Sequence, residues 1–384
     1  VDVEGKRVLV RVDFNVPLEK GEISDDRRIR QSLPTVRHLL DRKARPILVS
    51  HLGRPKARPD PALKMDRVAV KTAELLGSPV DKAPGCIEPE VARMAKNLPE
   101  GRVLLLENVR FYPGEEKGDD EFAKQLAGLG ELFVQDAFGT CHRSHASVVG
   151  VTHHLRASAG FLLKKELEYC GCLLESGETP FVCILGGAKS EDKIPVIEGL
   201  IGKADTFLVG GAMAYTFLAA KGVEIGASRV ETDRLEVARD ILKRVEETGT
   251  KFLLPTDHVV SRSIEDTANV QTVKSIPSGW MGLDIGPETA ARYEQEVAKA
   301  RMVVFNGPMG VFETPAFALG TKRIIRALAE SEGVTVVGGG DSAHAVEMFG
   351  AADRVSHIST GGGAFLELLA YGTLPGLEAL ASAE

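Results

Sequence analysis

Short apolar runs rich in β-branched residues recur along the whole chain, each followed by a polar or helix-like stretch before the next begins. RVLVRV (7–12), PILVS (46–50), VLLLE (103–107) and LFVQD (132–136) occupy the first half. FVCIL (181–185), DTFLV (205–209), MVVFN (302–306), VTVV (334–337) and VSHI (355–358) occupy the second. Runs this short and this apolar, alternating with helical spacing, are the pattern of β-α-β units around a largely parallel sheet. At 384 residues the chain exceeds what a single hydrophobic core sustains. The expected fold class is therefore α/β, with two doubly wound, Rossmann-like parallel-sheet domains.

Between the two sets of runs lies FLLKKELEYCGCLLESGETP (161–180), in which Leu163, Leu167, Cys170 and Leu174 share a helical face and SGETP ends the helix. This predicts an interdomain helix over 161–176, with domains at 1–160 and 177–371. A second helix is expected near Pro34, whose ring suits a first turn better than an interior position; Leu33, Val36, Leu39 and Leu40 form its apolar face.

The net charge of −7 argues against a general nucleic-acid or membrane-surface binder, yet residues 1–60 carry fourteen Lys/Arg against nine Asp/Glu. Cysteines 86, 141, 170, 172 and 183 have neither a CxxC nor a zinc-like spacing and fit reduced, buried thiols. No stretch of eighteen apolar residues occurs, and the first residues are charged and strand-like. A cytoplasmic protein with no signal peptide, no membrane partner and no nucleic-acid partner is expected. No amphipathic surface helix calls for a second subunit, so a monomer is expected.

Ligands of open parallel sheets bind at the carboxyl ends of the strands. In the first half those ends carry Asp13, Phe14 and Asn15, then SHLGRP with His51 and Arg54, then ENVRF with Arg110, then DAFGTCHRSH with His142 and Arg143. Any one of these arginines alone reads as a solvated side chain. Several brought to one sheet edge repel one another unless an anion sits between them, and the guanidinium fork suits phosphate and carboxylate oxygens. Arg28, in the turn leading to the first helix, can join them. A small polyanion is implied.

The second-half ends are glycine-rich: GGAKSEDK, GGAMA, NGPMG, GGGDSA and STGGGA. Each alone is as well explained by a tight strand-to-helix turn; five in succession favour a nucleotide, held by backbone N–H groups and helix amino termini. ISTGGGAFLE (358–367) resembles a P-loop that lacks its Lys-Ser/Thr pair. Lys189 and Lys193, at i and i+4 on the helix expected to open there, can supply the missing cations, although an exposed salt-bridged helix face fits the same spacing.

Gly338, Gly340 and Ala343 fit the dinucleotide pattern, but the next strand ends VSHISTGG without the acid that binds a ribose hydroxyl. Asp341, inside the loop, would repel a pyrophosphate unless magnesium lay between them; it also suits a helix N-cap. A NAD-dependent oxidoreductase with Rossmann-like domains stays open as the alternative, and a non-catalytic anion-binding protein as a third reading.

RVDFNVP, SHLGRP, LLLENVRF, DAFGTCHRSHAS, LGGAKSEDKI, GGAMAYTFL, GWMGLDIGP, NGPMGVFE, GGGDSAHAV and STGGGAFLE, in this order, resemble the segments of the phosphoglycerate kinase family. The resemblance implies a cleft between the two domains and reversible phosphoryl transfer from 1,3-bisphosphoglycerate to ADP, giving 3-phosphoglycerate and ATP, by direct in-line transfer with domain closure. It implies that the first domain binds 3-phosphoglycerate through Asp13, Phe14, Asn15, Arg28, His51, Leu52, Gly53, Arg54, Arg110 and Arg143. The second is implied to bind the Mg2+ nucleotide through Gly187, Lys189, Lys193, Gly210, Gly282, Asn306, Pro308, Glu313, Gly339, Gly340, Asp341 and Ser342, with Asp341 on the metal. Arg28, Lys189 and the helix start at Gly361, Gly362 and Gly363 are the implied catalytic groups, and a tail at about 372–384 returns to the first domain. Departures are few: Ser190 stands where valine is common, Cys141 and Ser144 where alanines are common, and Phe365 where a small residue is usual.

Overall fold

The computed structural model describes residues 2–175 and 177–383. Ser176, the last residue of the expected interdomain helix, lies outside the described residues, as do Val1 and Glu384 at the ends of the expected first domain and tail. Two compact units are present: one takes the residues up to Glu168 together with those from Thr373 onward, and the other is Tyr169–Gly372.

In the first unit six parallel strands run edge to edge as Val80–Lys82, Val103–Leu105, Arg45–Val49, Arg7–Arg11, Leu132–Gln135 and Ala157–Ala159. Arg7–Arg11 is buried on both faces because alternate residues meet different layers. Val8 and Val10 pack on Ile29, Leu33, Val36 and Leu39 of the helix Arg27–Asp41, while Leu9 joins Val91, Phe122 and Leu126 on the other side. Strand order reverses where Arg7–Arg11 pairs with both Arg45–Val49 and Leu132–Gln135. The loops leaving those three strands therefore share the switch-point edge. Residues from Thr373 onward belong to this unit, where the Gly376 N–H donates to the Cys141 carbonyl at 2.8 Å.

The first helix differs from expectation: it starts at Arg27, and Pro34 lies in its interior. Pro34 and Arg30 are both exposed, so the Arg30 carbonyl that loses its helical donor is left to water rather than to the core. Arg28 is accordingly a helix residue and not part of a preceding turn. The helix Phe161–Glu175 also has a different inner face: Leu162, Leu163, Glu166, Cys170 and Leu173 are buried, whereas Leu167 and Leu174 are only half-buried. Its start is fixed by tertiary partners, since Asp136 Oδ1 accepts the N–H groups of Leu162 and Leu163 and Thr35 Oγ1 accepts that of Phe161.

The second unit holds six parallel strands in the order Lys251–Leu253, Thr206–Val209, Phe181–Leu185, Met302–Asn306, Val334–Gly338 and His357–Ile358. Its switch point lies between Phe181–Leu185 and Met302–Asn306. Val182, Ile184, Val303, Phe305 and Val337 form one core with Tyr293, Val297, Ile324, Ile325 and Leu328 from covering helices. Burying each large aliphatic side chain contributes about 1.5–3 kcal/mol. A separate antiparallel sheet, Gln271–Val273, His258–Ser261 and Met281–Ile285, was not legible in the apolar pattern. The same holds for the edge strands Val80–Lys82, Ala157–Ala159 and Lys251–Leu253, which lack a fully buried residue. Among the described residues no helix is long and apolar enough to cross a membrane.

Candidate active site

The first unit gathers its cations around Arg11, a residue buried within the central strand. Arg11 donates to Ser147 Oγ at 2.8 Å and to the carbonyl of Val12, and its Nη2 lies 3.2 Å from His51 Nδ1. Glu115, also fully buried, accepts from the N–H and hydroxyl of Ser147 and approaches His145 at 3.6 Å. Burial pushes the Glu115 carboxyl up, but His145, Arg11 and Ser147 outweigh it and hold the group below its ordinary value. This buried platform was absent from the sequence reading; the available signal was a charged residue within the apolar run RVLVRV.

On the platform stand the residues expected from the strand ends. Arg28 Nη1 bridges both Asp13 oxygens, at 3.2 and 3.1 Å, and the Asn15 carbonyl at 3.1 Å. Asn15 Oδ1 accepts the Gly53 N–H at 2.8 Å, and Arg110 donates to the Gly53 carbonyl at 3.1 Å. Phe14 and Leu52 are buried beneath these polar groups, whereas Arg54 and Arg143 are exposed. His51 has Arg11, Arg110, Arg28 and His145 as electrostatic neighbours, and His142 has Arg143, His145 and Arg110, so Arg28, Arg110 and Arg143 gather around Arg11, while exposed Arg54 is not among these neighbours. His51 and His142 add no charge at neutral pH. Burial, then the surrounding arginines, hold His51 well below its ordinary value, and burial with Arg143 and His145 takes His142 down to about 4.

The second unit contains a cavity of about 700 Å³ lined by Lys193, Asn306, Gly339, Gly340, Asp341, Ser342, Gly362 and Gly363 among others. Two helices point their amino termini into it, Gly340–Met348 and Gly363–Tyr371, each following a left-handed glycine, Gly339 at φ 90° and Gly362 at φ 51°. Unpaired N–H groups and positive dipole ends thus face one space from two adjacent strands. Asn306 Nδ2 donates to the Gly338 carbonyl at 2.7 Å while its buried Oδ1 has no donor. Ser342 Oγ accepts the Gly307 N–H at 2.7 Å. Phe365 is fully buried against Gly338, where any Cβ would lie 2.3 Å from the ring. The lining residues Leu366, Glu367 and Tyr371 were missed because they follow the glycines by one or two helical turns.

The lysine geometry corrects the sequence reading. The helix begins at Ile194, and Lys189 to Lys193 form a turn rather than one helical face. The Ser190 carbonyl takes the N–H groups of Lys193 and Ile194, and Pro195 fixes the first turn. Lys193 is half-buried in the cavity wall. Its ammonium is pushed below the ordinary value by burial, which outweighs Asp192 and Asp341. Lys189 is exposed and lies outside that lining, as does Gly361.

Gly187, Gly210, Gly282, Pro308 and Glu313 also lie outside it. Several second-half glycines have a packing reason instead: a Cβ on Gly186 would sit 2.1 Å from the Pro308 carbonyl oxygen, and one on Gly211 2.4 Å from the Gly187 nitrogen. Three adjacent strand-end loops therefore touch backbone to backbone. On Gly282 a Cβ would meet the Tyr215 hydroxyl at 1.8 Å.

Two doubly wound units, one with an arginine cluster and the other with paired helix amino termini at its strand ends, define a class of two-unit α/β proteins built to hold anions. The phosphoglycerate kinase family model matches residues 1–371. The phosphoglycerate kinase of Dictyoglomus turgidum is 53% identical over 382 residues, covering 99% of this chain and 96% of the relative. That of Gloeobacter violaceus is 55% identical over 393 residues, covering 99% and 96%. The solved phosphoglycerate kinase of Coxiella burnetii is 36% identical with a TM-score of 0.90, covering 100% of this chain and 97% of that one. The Pyrococcus horikoshii structure gives 32%, 0.84, 100% and 98%. The chain belongs to the phosphoglycerate kinase family. Nothing in these relatives supports the oxidoreductase alternative, and the strand His357–Ile358 is followed by Ser359, with no acid for a ribose hydroxyl.

Proposed function

We propose that this chain catalyses reversible transfer of a phosphoryl group from 1,3-bisphosphoglycerate to ADP, with the phosphoglycerate held by the first unit and the nucleotide by the second. The observation that carries the division of labour is the contrast between the two switch points: arginine forks on one, helix amino termini with Lys193 on the other. Forks suit a compact carboxylate-phosphate, while N–H groups and dipole ends suit a row of phosphates.

In the forward direction the bond between phosphorus and the acyl oxygen breaks, a bond to a terminal oxygen of ADP forms, and the carboxylate leaves. In reverse the nucleophile is that carboxylate, already ionised at neutral pH, so no general base is needed. Neutral His51 and low-pKa His142 are then free of proton-transfer duty. Catalysis rests on position and charge. Arg28 and Lys189 flank the transferring group, and the helix starting at Gly363 stabilises its oxygens through Gly361 to Gly363. In-line transfer requires the two bound ligands to come within bonding reach, and their approach excludes water.

Among the described residues no three His, Cys, Asp or Glu form a metal cage. Asp341 and the donorless Asn306 Oδ1 do line one cavity, a donor set that fits a magnesium ion completed by phosphate oxygens and water. Bound there, magnesium neutralises phosphate charge. A single chain supplies both ligand sets, so the reaction as proposed needs no second copy, and a monomer is the state we propose. Five cysteines, none in a disulfide and four of them buried, fit a reducing cytoplasm. The test is a coupled assay with 3-phosphoglycerate, ATP and magnesium. Turnover that requires all three supports the reading; ATP consumption independent of 3-phosphoglycerate contradicts it.

A further inference from the structure

Ser190 lies between Lys189 and Glu191, both exposed, yet is itself fully buried. Its N–H donates to Glu231 Oε2 at 2.6 Å, and its hydroxyl donates to the same oxygen. Its carbonyl accepts from the N–H groups of Lys193 and Ile194, both at 2.9 Å. Lys193, at the helix cap position, makes no side-chain cap of its own, so this carbonyl takes over part of the capping. Ser190 thus ties the backbone of Lys193 to the Glu231 carboxylate, forty-one positions beyond Ser190 in sequence.

Glu231 is anchored in turn. Its N–H donates at 3.1 Å to Thr216 Oγ1, a buried hydroxyl on the helix Met213–Ala220. Three residues on, Arg234 pairs with Glu191 at 3.0 Å. The segment Glu231 to Arg234 therefore grips two successive residues of the lysine turn, first through a half-buried charge-assisted bond and then through a more exposed ion pair. The former contributes more than the latter, because Ser190 is fully buried and its bonds are less screened than a pair whose Glu191 side chain is 61% exposed.

We infer that Glu231, acting through Ser190, is a positioning residue that sets the phosphate-facing geometry of Lys189 and Lys193. This rests on the reading of those lysines as phosphate contacts. A turn with two lysines and two acids can fold its ammonium groups onto Glu191 and Asp192 instead of onto a ligand. Tying down the residue between them removes that freedom before the nucleotide arrives, which lowers the ordering cost of binding.

The test compares Ser190→Ala, Glu231→Gln and the double variant in the full chain, with kcat and the KM of each substrate measured separately and melting temperature recorded. Each single variant is expected to raise the nucleotide KM and lower kcat by about fivefold, the scale of one weakened charge-assisted bond. The KM for 3-phosphoglycerate is expected to stay unchanged, and the double variant to be little worse than either single one. Unchanged nucleotide KM in both single variants, or equal change in both KM values, overturns the proposal. Lys193→Ala serves as the control. If it lowers nucleotide affinity while Ser190→Ala does not, the clamp alone fails; if it has wild-type kinetics, the lysine reading fails and the clamp with it.

Discussion

Replacing Arg28 with alanine separates a structural role from a catalytic one. Its Nη1 makes bonds at 3.1–3.2 Å to both oxygens of Asp13 and to the Asn15 carbonyl, and the Asp13 carboxylate is only 5% exposed. The Arg28 side chain is 35% exposed, so solvent screens part of the interaction. Loss of the pair is expected to cost about 1–2 kcal/mol of stability, below the value for a fully buried pair. If Arg28 also faces the transferring group, removing a cation where negative charge is redistributed costs a further ~3 kcal/mol in the transition state, about a hundredfold in kcat. The assay combines steady-state kinetics, urea unfolding and calorimetric titration of ATP. The expected result is a kcat lower by about two orders of magnitude with nucleotide affinity within about twofold of wild type. A variant that loses the stability but keeps its kcat would refute the catalytic assignment and leave Arg28 as a partner of Asp13 alone.

Gly186→Ala forces a methyl to within 2.1 Å of the Pro308 carbonyl oxygen, which is backbone and cannot swing aside; a loss of about 1–3 kcal/mol and a raised nucleotide KM are expected, and an unchanged melting temperature would argue against this contact. Asp341→Asn is expected to raise the magnesium concentration for half-maximal rate by about tenfold, leaving the KM for 3-phosphoglycerate untouched; an unaltered magnesium profile contradicts the metal assignment. Asp136 is held up to about 7, from an ordinary 3.8, by burial against the opposing pull of Thr35 and the Leu163 and Leu162 N–H groups. Between those values the native state keeps a proton that the unfolded chain has lost, so wild-type stability falls with rising pH, by at most roughly 1.4 kcal/mol per unit for this group. Asp136→Asn removes that slope, and parallel unfolding-versus-pH curves for the two proteins would contradict it.

What could be read from sequence was whatever a single segment encodes. A buried parallel strand is an apolar run whatever lies beside it, and the central strands of both sheets were expected where they occur. The residues just after each run then fall on one sheet edge by topology, which is why Asp13, His51, Arg110 and Arg143 could be grouped before any geometry was known. Features that need a distant partner were hidden. Arg11 is tolerated inside a strand because Ser147, His51 and Glu115 come from three other segments. Nothing local to SHLGRP says that His51 is kept neutral. Pro34 sits in a helix interior because its exposed face leaves the Arg30 carbonyl to water. The i, i+4 spacing of Lys189 and Lys193 matches a helix, but the Ser190 carbonyl and Glu231 hold the segment as a turn. The glycine loops carried two signals at once: Gly339 and Gly362 open helix amino termini toward the cavity, while Gly186 and Gly211 are there because backbones touch.

The central claim is that one chain carries two separate anion sites of different construction, and crossed titrations test it most directly. Exposed Arg54 and Arg143 are replaced together by alanine in one protein and Lys193 by alanine in another, and calorimetry measures 3-phosphoglycerate and magnesium-ATP binding to each. The prediction is a crossed pattern: the arginine variant loses affinity for 3-phosphoglycerate and keeps it for the nucleotide, and the lysine variant does the reverse. Equal loss of both ligands in either protein, or no loss of 3-phosphoglycerate binding in the arginine variant, would contradict the assignment.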